Sequence, residues 1–312
     1  MVSGADVRRA AERIRGIAHR TPVMTSASFD RQSGVATHFK CENFQRGGAF
    51  KIRGAGNLIL SIPDAATSRG VVAFSSGNHA QGVAIAAAHR GMKATLAMPL
   101  DAPKSKVEAA AGYGATIIRY NRLTEDREAI GRRISEETGA ALVPPYDHPE
   151  IIAGQGTAAL ELLEECPHLE AILTPVGGGG LLSGCATIAK EINPAIRMFG
   201  VEPELANDTW LSMRKGERVE IAPPDTIADG LRSPSPGLLT FPLMHELAED
   251  ILLVTEDEIR AAMRFLFTRL KLVVEPSGAV PAAAVLFGKL PAGIRSAGVV
   301  LSGGNMDLDN LI

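Results

Sequence analysis

Short apolar runs and longer amphipathic or alanine-rich stretches take turns along the middle of the chain. Residues 71–74, 93–98, 116–120 and 141–143 read as strands, and 78–90, 103–111 and 124–138 as helices. Strands alternating with helices at this spacing imply a parallel sheet with right-handed crossovers. A second series starts near His148, with strands at 171–176, 198–201 and 251–254 and a helix over 180–192. Thr255 with Glu258 forms a capping box that opens a helix running to about residue 270. A last strand, 298–301, runs straight into Ser302-Gly303-Gly304-Asn305, and the Pro-, Ser-, Asp- and Gly-rich stretch 216–237 reads as a long irregular excursion. Residues before about 70 are predicted to return to the second lobe. No internal repeat or low-complexity tract interrupts the pattern.

Length and charge narrow the class. A chain of 312 residues exceeds the usual single core, so two lobes with a cleft between them are expected. An apolar share of 46% suits an α/β enzyme, and a net charge of −3 argues against a nucleic-acid partner. Cys41, Cys166 and Cys185 are odd in number and lack metal-type spacing, which points to reduced thiols and a cytoplasmic protein. The first 20 residues mix Asp6 and Glu12 with arginines and read as a helix capped by Ser3, not a secretory signal. No stretch approaches the roughly 20 apolar residues that cross a bilayer.

Four places carry chemistry. Lys51 follows Gly47-Gly48-Ala49-Phe50, where small and aromatic neighbours solvate an ammonium poorly; this desolvation and the nearby cation Arg53 are both expected to depress its pKa. Gly177, Gly178, Gly179 and Gly180 end a strand and open a helix, exposing backbone N–H groups that suit a phosphate. The spacing fails the dinucleotide fingerprint, so a monophosphate is the better fit. Ser75-Ser76-Gly77-Asn78-His79 again joins a strand end to a helix start, either as a plain cap or as a carboxylate site. Ser302 ends the last strand in the same crevice. An amine that forms imines, a monophosphate cradle, a carboxylate loop and a neutral hydroxyl are the needs of pyridoxal phosphate chemistry on an amino acid.

Through these motifs the chain resembles, over essentially its whole length, the serine/threonine dehydratase and serine racemase group of fold type II pyridoxal-phosphate enzymes. The resemblance implies a two-lobed tryptophan-synthase-β-like α/β fold with parallel sheets flanked by helices. Its large cofactor-binding domain would span 1–68 and 148–312, its small mobile domain 69–147, and the enzyme would be a homodimer. It implies that Lys51 binds the cofactor covalently, flanked by Phe50, with Asn78 on the ring hydroxyl, the four glycines on the phosphate and Ser302 facing the ring nitrogen. Glu275, in Val274-Glu275-Pro276-Ser277-Gly278, resembles the residue that bridges the cofactor face to the last strand. The substrate carboxylate would meet Ser75, Ser76, Gly77, Asn78 and His79, with Arg127, Tyr146 and Asp229 near the substrate pocket. Glu202 and Asp208 side chains and the Ala206 carbonyl resemble a divalent-cation site, whose hard oxygens suit Mg²⁺, Ca²⁺ or Mn²⁺; a solvated acidic loop is the alternative.

Ser76 matches the hydroxyl that racemases use opposite the lysine, and Ala49 resembles hydroxyaspartate ammonia-lyases. The family's regulatory C-terminal domain has no counterpart here, so feedback inhibition by isoleucine is not expected. The reaction implied is β-elimination from serine, threonine or threo-3-hydroxyaspartate to a 2-oxo acid and ammonia, with Lys51 as base. A racemase using Lys51 and Ser76, and a non-catalytic pyridoxal-phosphate carrier, are the rival readings.

Overall fold

The computed structural model describes residues 1–75, 77–102, 104–121 and 123–307, without the side chains of Ser105 and Lys106. In chain order the N-terminal part comprises α1 (Gly4–Arg13), β1 (Val23–Thr25), α2 (Ala27–Ser33), β2 (Ala36–Cys41) and α3 (Lys51–Ser61). The next series is β3 (Val71–Phe74), α4 (Asn78–His89), β4 (Ala94–Pro99), α5 (Lys104–Gly112), β5 (Thr116–Tyr120), α6 (Arg127–Thr138) and β6 (Ala141–Leu142). There follow α7 (Pro149–Glu165), β7 (Ala171–Pro175), α8 (Gly180–Ile192), β8 (Arg197–Pro203) and α9 (Asp208–Lys215). The chain then runs through α10 (Thr240–Leu247), β9 (Asp250–Val254), α11 (Glu256–Phe265), α12 (Pro276–Leu286) and β10 (Ser296–Leu301).

Two sheets result. One has the order β5-β4-β3-β6 and is parallel throughout; the other has the order β1-β2-β10-β7-β8-β9, in which only β1 runs antiparallel. The N-terminal strands therefore join the second sheet beside β10, with Ala36 opposite Ser296 and Cys41 opposite Leu301. Parallel strands need helices on both faces, and the apolar runs of β3 and β7 are buried throughout. The excursion 216–237 contains one short 3-10 turn, Asp229–Leu231. Both capping boxes form, Ser3 with Asp6 and Thr255 with Glu258. The helix after Thr255 ends as α-helix at Phe265 and continues as a π-turn over Leu266–Leu270.

Close backbone approaches set the position of α3. A Cβ on Gly154 would lie 2.5 Å from the Arg53 carbonyl oxygen, so α7 can press on α3 only through glycine. On the other side α4 approaches through Gly82, where a Cβ would lie 3.1 Å from the backbone of Lys51 and Ile52. The strand ends and the first turn of α3 thus converge on one crevice. Among the described residues no helix is long and apolar enough to cross a membrane.

Candidate active site

Lys51 is the first residue of α3, and the turn before it is laced to the end of β10. Phe50 N–H donates to the Ser302 carbonyl at 3.0 Å, Gly304 N–H to the Gly48 carbonyl at 2.9 Å, and Glu275 N–H to the Gly303 carbonyl at 3.0 Å. The Lys51 amine donates to the Pro145 carbonyl at 2.7 Å and lies 5.1 Å from the centre of the Phe50 ring. Burial pushes its pKa down to about 8, against the pull of the Glu275 carboxylate.

The expected contribution of Arg53 to that shift is not found. Two residues further along the helix, its guanidinium points away into a buried cluster, bonding Glu42 at 2.7 and 2.9 Å and Glu161 at 2.7 and 2.8 Å. Its charge is spent on two carboxylates, and desolvation alone depresses the lysine. At pH 7 about one Lys51 in ten then carries the nucleophilic free amine, against about one in 3,000 for an unshifted lysine. The rate at which cofactor-free protein takes up pyridoxal phosphate covalently should therefore rise with pH to a midpoint near 8. A midpoint above 10, read by stopped-flow absorbance, would contradict the assignment.

The glycine run forms an open cradle. Gly179 adopts φ 91°, a conformation that favours glycine, and α8 begins after it with no side-chain cap. The first N–H groups of α8 therefore have no intrahelical acceptor and face outward at the positive end of the helix. Tyr146 lies across this run: a Cβ on Gly178 would sit 2.3 Å from its ring, and one on Gly180 3.0 Å from its Cβ. Thr240 Oγ1 and Gly237 N–H donate to the Gly178 carbonyl at 2.6 and 3.2 Å, fixing the cradle from the far side. Asp147 secures the strap that carries Tyr146 by accepting from the N–H groups of Leu238, Leu239 and Thr240.

Other predicted residues gather round the same crevice. Asn78 Nδ2 donates to Glu275 Oε1 at 2.6 Å, and Ser302 is buried at the end of β10. Ser75 Oγ accepts from Gly77 N–H at 3.3 Å, and its own N–H donates to Ala97. Buried His79 has Nε2 2.9 Å from the Val143 carbonyl, which can only accept, so this nitrogen carries the proton. Burial lowers the His79 pKa to about 3, and the neighbouring Lys51 charge adds to this. The imidazole is thus a neutral bond to the Val143 carbonyl. Ser76 lies outside the described residues.

Arg127 opens α6 with its guanidinium 6.0 Å from the centre of the Phe74 ring. Among the described residues it makes no ion pair. It is close enough to Tyr146 to lower the tyrosine pKa against the larger upward push of burial. Asp229 is exposed at the start of its 3-10 turn, where the next residue's carbonyl abuts Gly177.

Glu202 in β8 and Asp208 at the start of α9 come together. Glu202 accepts from the N–H groups of Thr209 and Trp210 at 3.1 and 2.8 Å, while both buried oxygens of Asp208 have no hydrogen-bond partner among the described residues. Burial raises both acids, Asp208 to about 7, and Asp208 raises Glu202 further. Two buried carboxylates, one of them with unpartnered oxygens, beside buried Ala206 fit a hard cation. Among the described residues no group of three or more His, Cys, Asp or Glu gathers around a metal position.

Sequence alone gives no role to the Pro145 carbonyl, the Phe74 ring or Asn305, because their parts are set by fold contacts. The residues present fit pyridoxal phosphate: an amine of depressed pKa, an uncapped glycine-lined helix start and a neutral hydroxyl at the strand end. Similarity to known proteins agrees. The chain is 50% identical to L-threo-3-hydroxyaspartate ammonia-lyase of Saccharomyces cerevisiae, over 97% of this chain and 93% of that protein. It is 46% identical to serine racemase of Schizosaccharomyces pombe, over 97% and 95%. The solved structure of maize serine racemase superposes with a TM-score of 0.96 at 45% identity, covering 99% of this chain and 95% of that one. The fold is that of fold type II pyridoxal-phosphate enzymes. Residues 14–303 match the family described as "Pyridoxal-phosphate dependent enzyme", and the chain belongs to it.

Proposed function

We propose that the protein is an ammonia-lyase that eliminates the β-hydroxyl of L-threo-3-hydroxyaspartate as water, the released enamine then taking up one water by hydrolysis to give ammonia and a four-carbon 2-oxo diacid. The observation that carries this choice is Arg127, a half-buried guanidinium with a ring contact but no ion pair among the described residues. It stands ready for the second carboxylate that serine and threonine lack. The 50% identical relative named for this reaction supports the same reading.

Bound pyridoxal phosphate supplies an electron sink for the charge left at Cα. Phe50, Asn78, Gly177, Gly178, Gly179, Gly180, Glu275 and Ser302 would hold it. The Lys51 amine takes the Cα proton, the 75–79 loop receives the α-carboxylate, and Arg127 receives the β-carboxylate. Tyr146 and Asp229 border the pocket, and residues 69–147 act as a small lobe that closes over it and excludes water. A homodimer and a cytoplasmic location complete the proposal; the three buried free cysteines accord with a reducing compartment.

Measuring 2-oxo acid release from hydroxyaspartate, serine and threonine tests this. The highest kcat/KM should fall on hydroxyaspartate, and equal values for all three would contradict the assignment. A second reading, racemisation, is favoured by the 46% identical serine racemase and by Ser76. Ser76→Ala should then abolish D-serine formation from L-serine while pyruvate release persists. Full racemisation by that variant would remove Ser76 from the scheme.

Glu202, Asp208 and the Ala206 carbonyl are proposed to hold Mg²⁺, or Ca²⁺ or Mn²⁺ in its place. Without metal, both raised acids bind more protons folded than unfolded above the usual carboxylate range, Asp208 up to about pH 7, so stability falls as pH rises through that window. Mg²⁺ at 100 times its Kd should restore about 2.7 kcal/mol, with a larger gain in Tm at pH 8 than at pH 5. Melting at pH 8 that ignores added Mg²⁺, Ca²⁺, Mn²⁺ and chelator would contradict the site.

A further inference from the structure

We propose that Asn305 is a positioning residue that sets which end of the Asn78 amide faces the cofactor. Asn305 Nδ2 lies 2.6 Å from the Gly47 carbonyl oxygen. A carbonyl can only accept, so that end of the amide is the donor. The same Nδ2 is 3.0 Å from Asn78, which must therefore turn its Oδ1 toward Asn305. Asn78 Nδ2 is left to donate to Glu275 Oε1 at 2.6 Å.

Glu275 alone could not fix this orientation, because a carboxyl that gains a proton changes from acceptor to donor. The Gly47 carbonyl has no such freedom, and Asn305 transmits its constraint across to Asn78. Gly48 makes room for the relay: at φ 71° it carries no Cβ, and one placed there would lie 2.3 Å from Asn305 Oδ1. With Oδ1 committed to Asn305, the second hydrogen of Asn78 Nδ2 is what the crevice receives. Asn78 is thereby held as a donor, suited to an oxygen that carries negative charge. A flipped amide would set oxygen against the Glu275 carboxylate and offer the crevice an acceptor.

This inference rests on the reading that Asn78 meets the ring oxygen of pyridoxal phosphate. The test compares Asn78→Ala, Asn305→Ala, Asn305→Asp and the Asn78→Ala/Asn305→Ala double variant. Two quantities are read: the Kd of pyridoxal phosphate for the cofactor-free protein, and the pH midpoint of the bound-cofactor absorbance. Melting of the cofactor-free forms is recorded beside them. Each single variant should weaken binding about tenfold and move the midpoint in the same direction, and the double variant should be no worse than Asn78→Ala. If Asn305→Ala fails to fold, the isosteric Asn305→Asp decides. An Asn78→Ala variant that matches wild type overturns the underlying contact, and the proposal with it. If Asn78→Ala is impaired while the Asn305 variants match wild type, or if the losses simply add, only the positioning role is overturned.

Discussion

A Lys51→Ala variant should lose turnover by at least about 10⁴-fold and lose the absorbance of covalently bound cofactor in the same step. Its cofactor-free form should unfold no earlier than wild type. The charged amine is disfavoured by burial, and it donates to the Pro145 carbonyl. A lysine whose folded pKa lies near 8 binds fewer protons folded than unfolded between about 8 and the usual lysine range. Wild-type stability therefore gains from this residue as pH rises through that window, and the alanine variant lacks the gain. Activity loss with retained stability separates a chemical role from a structural one. Turnover within about tenfold of wild type would show that another group abstracts the proton.

Arg127→Met should cut kcat/KM for L-threo-3-hydroxyaspartate by about 10²- to 10³-fold, the loss expected when a charge-assisted bidentate contact is removed. The change for L-serine should stay within about threefold on the same grounds, since serine offers no second carboxylate. Methionine keeps the unbranched stem that packs near Phe74, so the fold should hold. The effect should appear mainly in KM if the contact is equally strong throughout the reaction, and in kcat if it tightens near the transition state. Equal losses on both substrates would mean that Arg127 supports the lobe and does not read the side chain.

Much of this arrangement is legible in the sequence. The alternating units 71–143 and 171–301 became the two sheets because their apolar runs have no other way to be buried. The glycine run and Lys51 could be named as candidates from local chemistry alone. Other elements leave no local trace. Strand β2 reads Ala-Thr-His-Phe-Lys-Cys, and Lys40 spoils its apolar pattern; the lysine is buried because Glu161 at 2.6 Å and the Thr21 carbonyl at 2.7 Å receive its ammonium.

Helices α7 and α12 are buried on nearly every side, so they lack the amphipathic period by which a helix is recognised, and α12 even contains Pro281. The direction of the Arg53 guanidinium leaves no local trace either: sequence gives its distance from Lys51 along the chain, while Glu42 and Glu161 decide where its charge goes. The direction of Asn78 depends on Asn305, 227 positions away, and on Gly47.

Borohydride reduction of the protein loaded with pyridoxal phosphate, followed by digestion and peptide mass mapping, tests the assignment of Lys51 most directly. The expected result is a single peptide containing Lys51 that carries the phosphopyridoxyl mass, absent when residue 51 is alanine. The mass on a peptide lacking Lys51, or on none while the protein still turns over substrate, would contradict it.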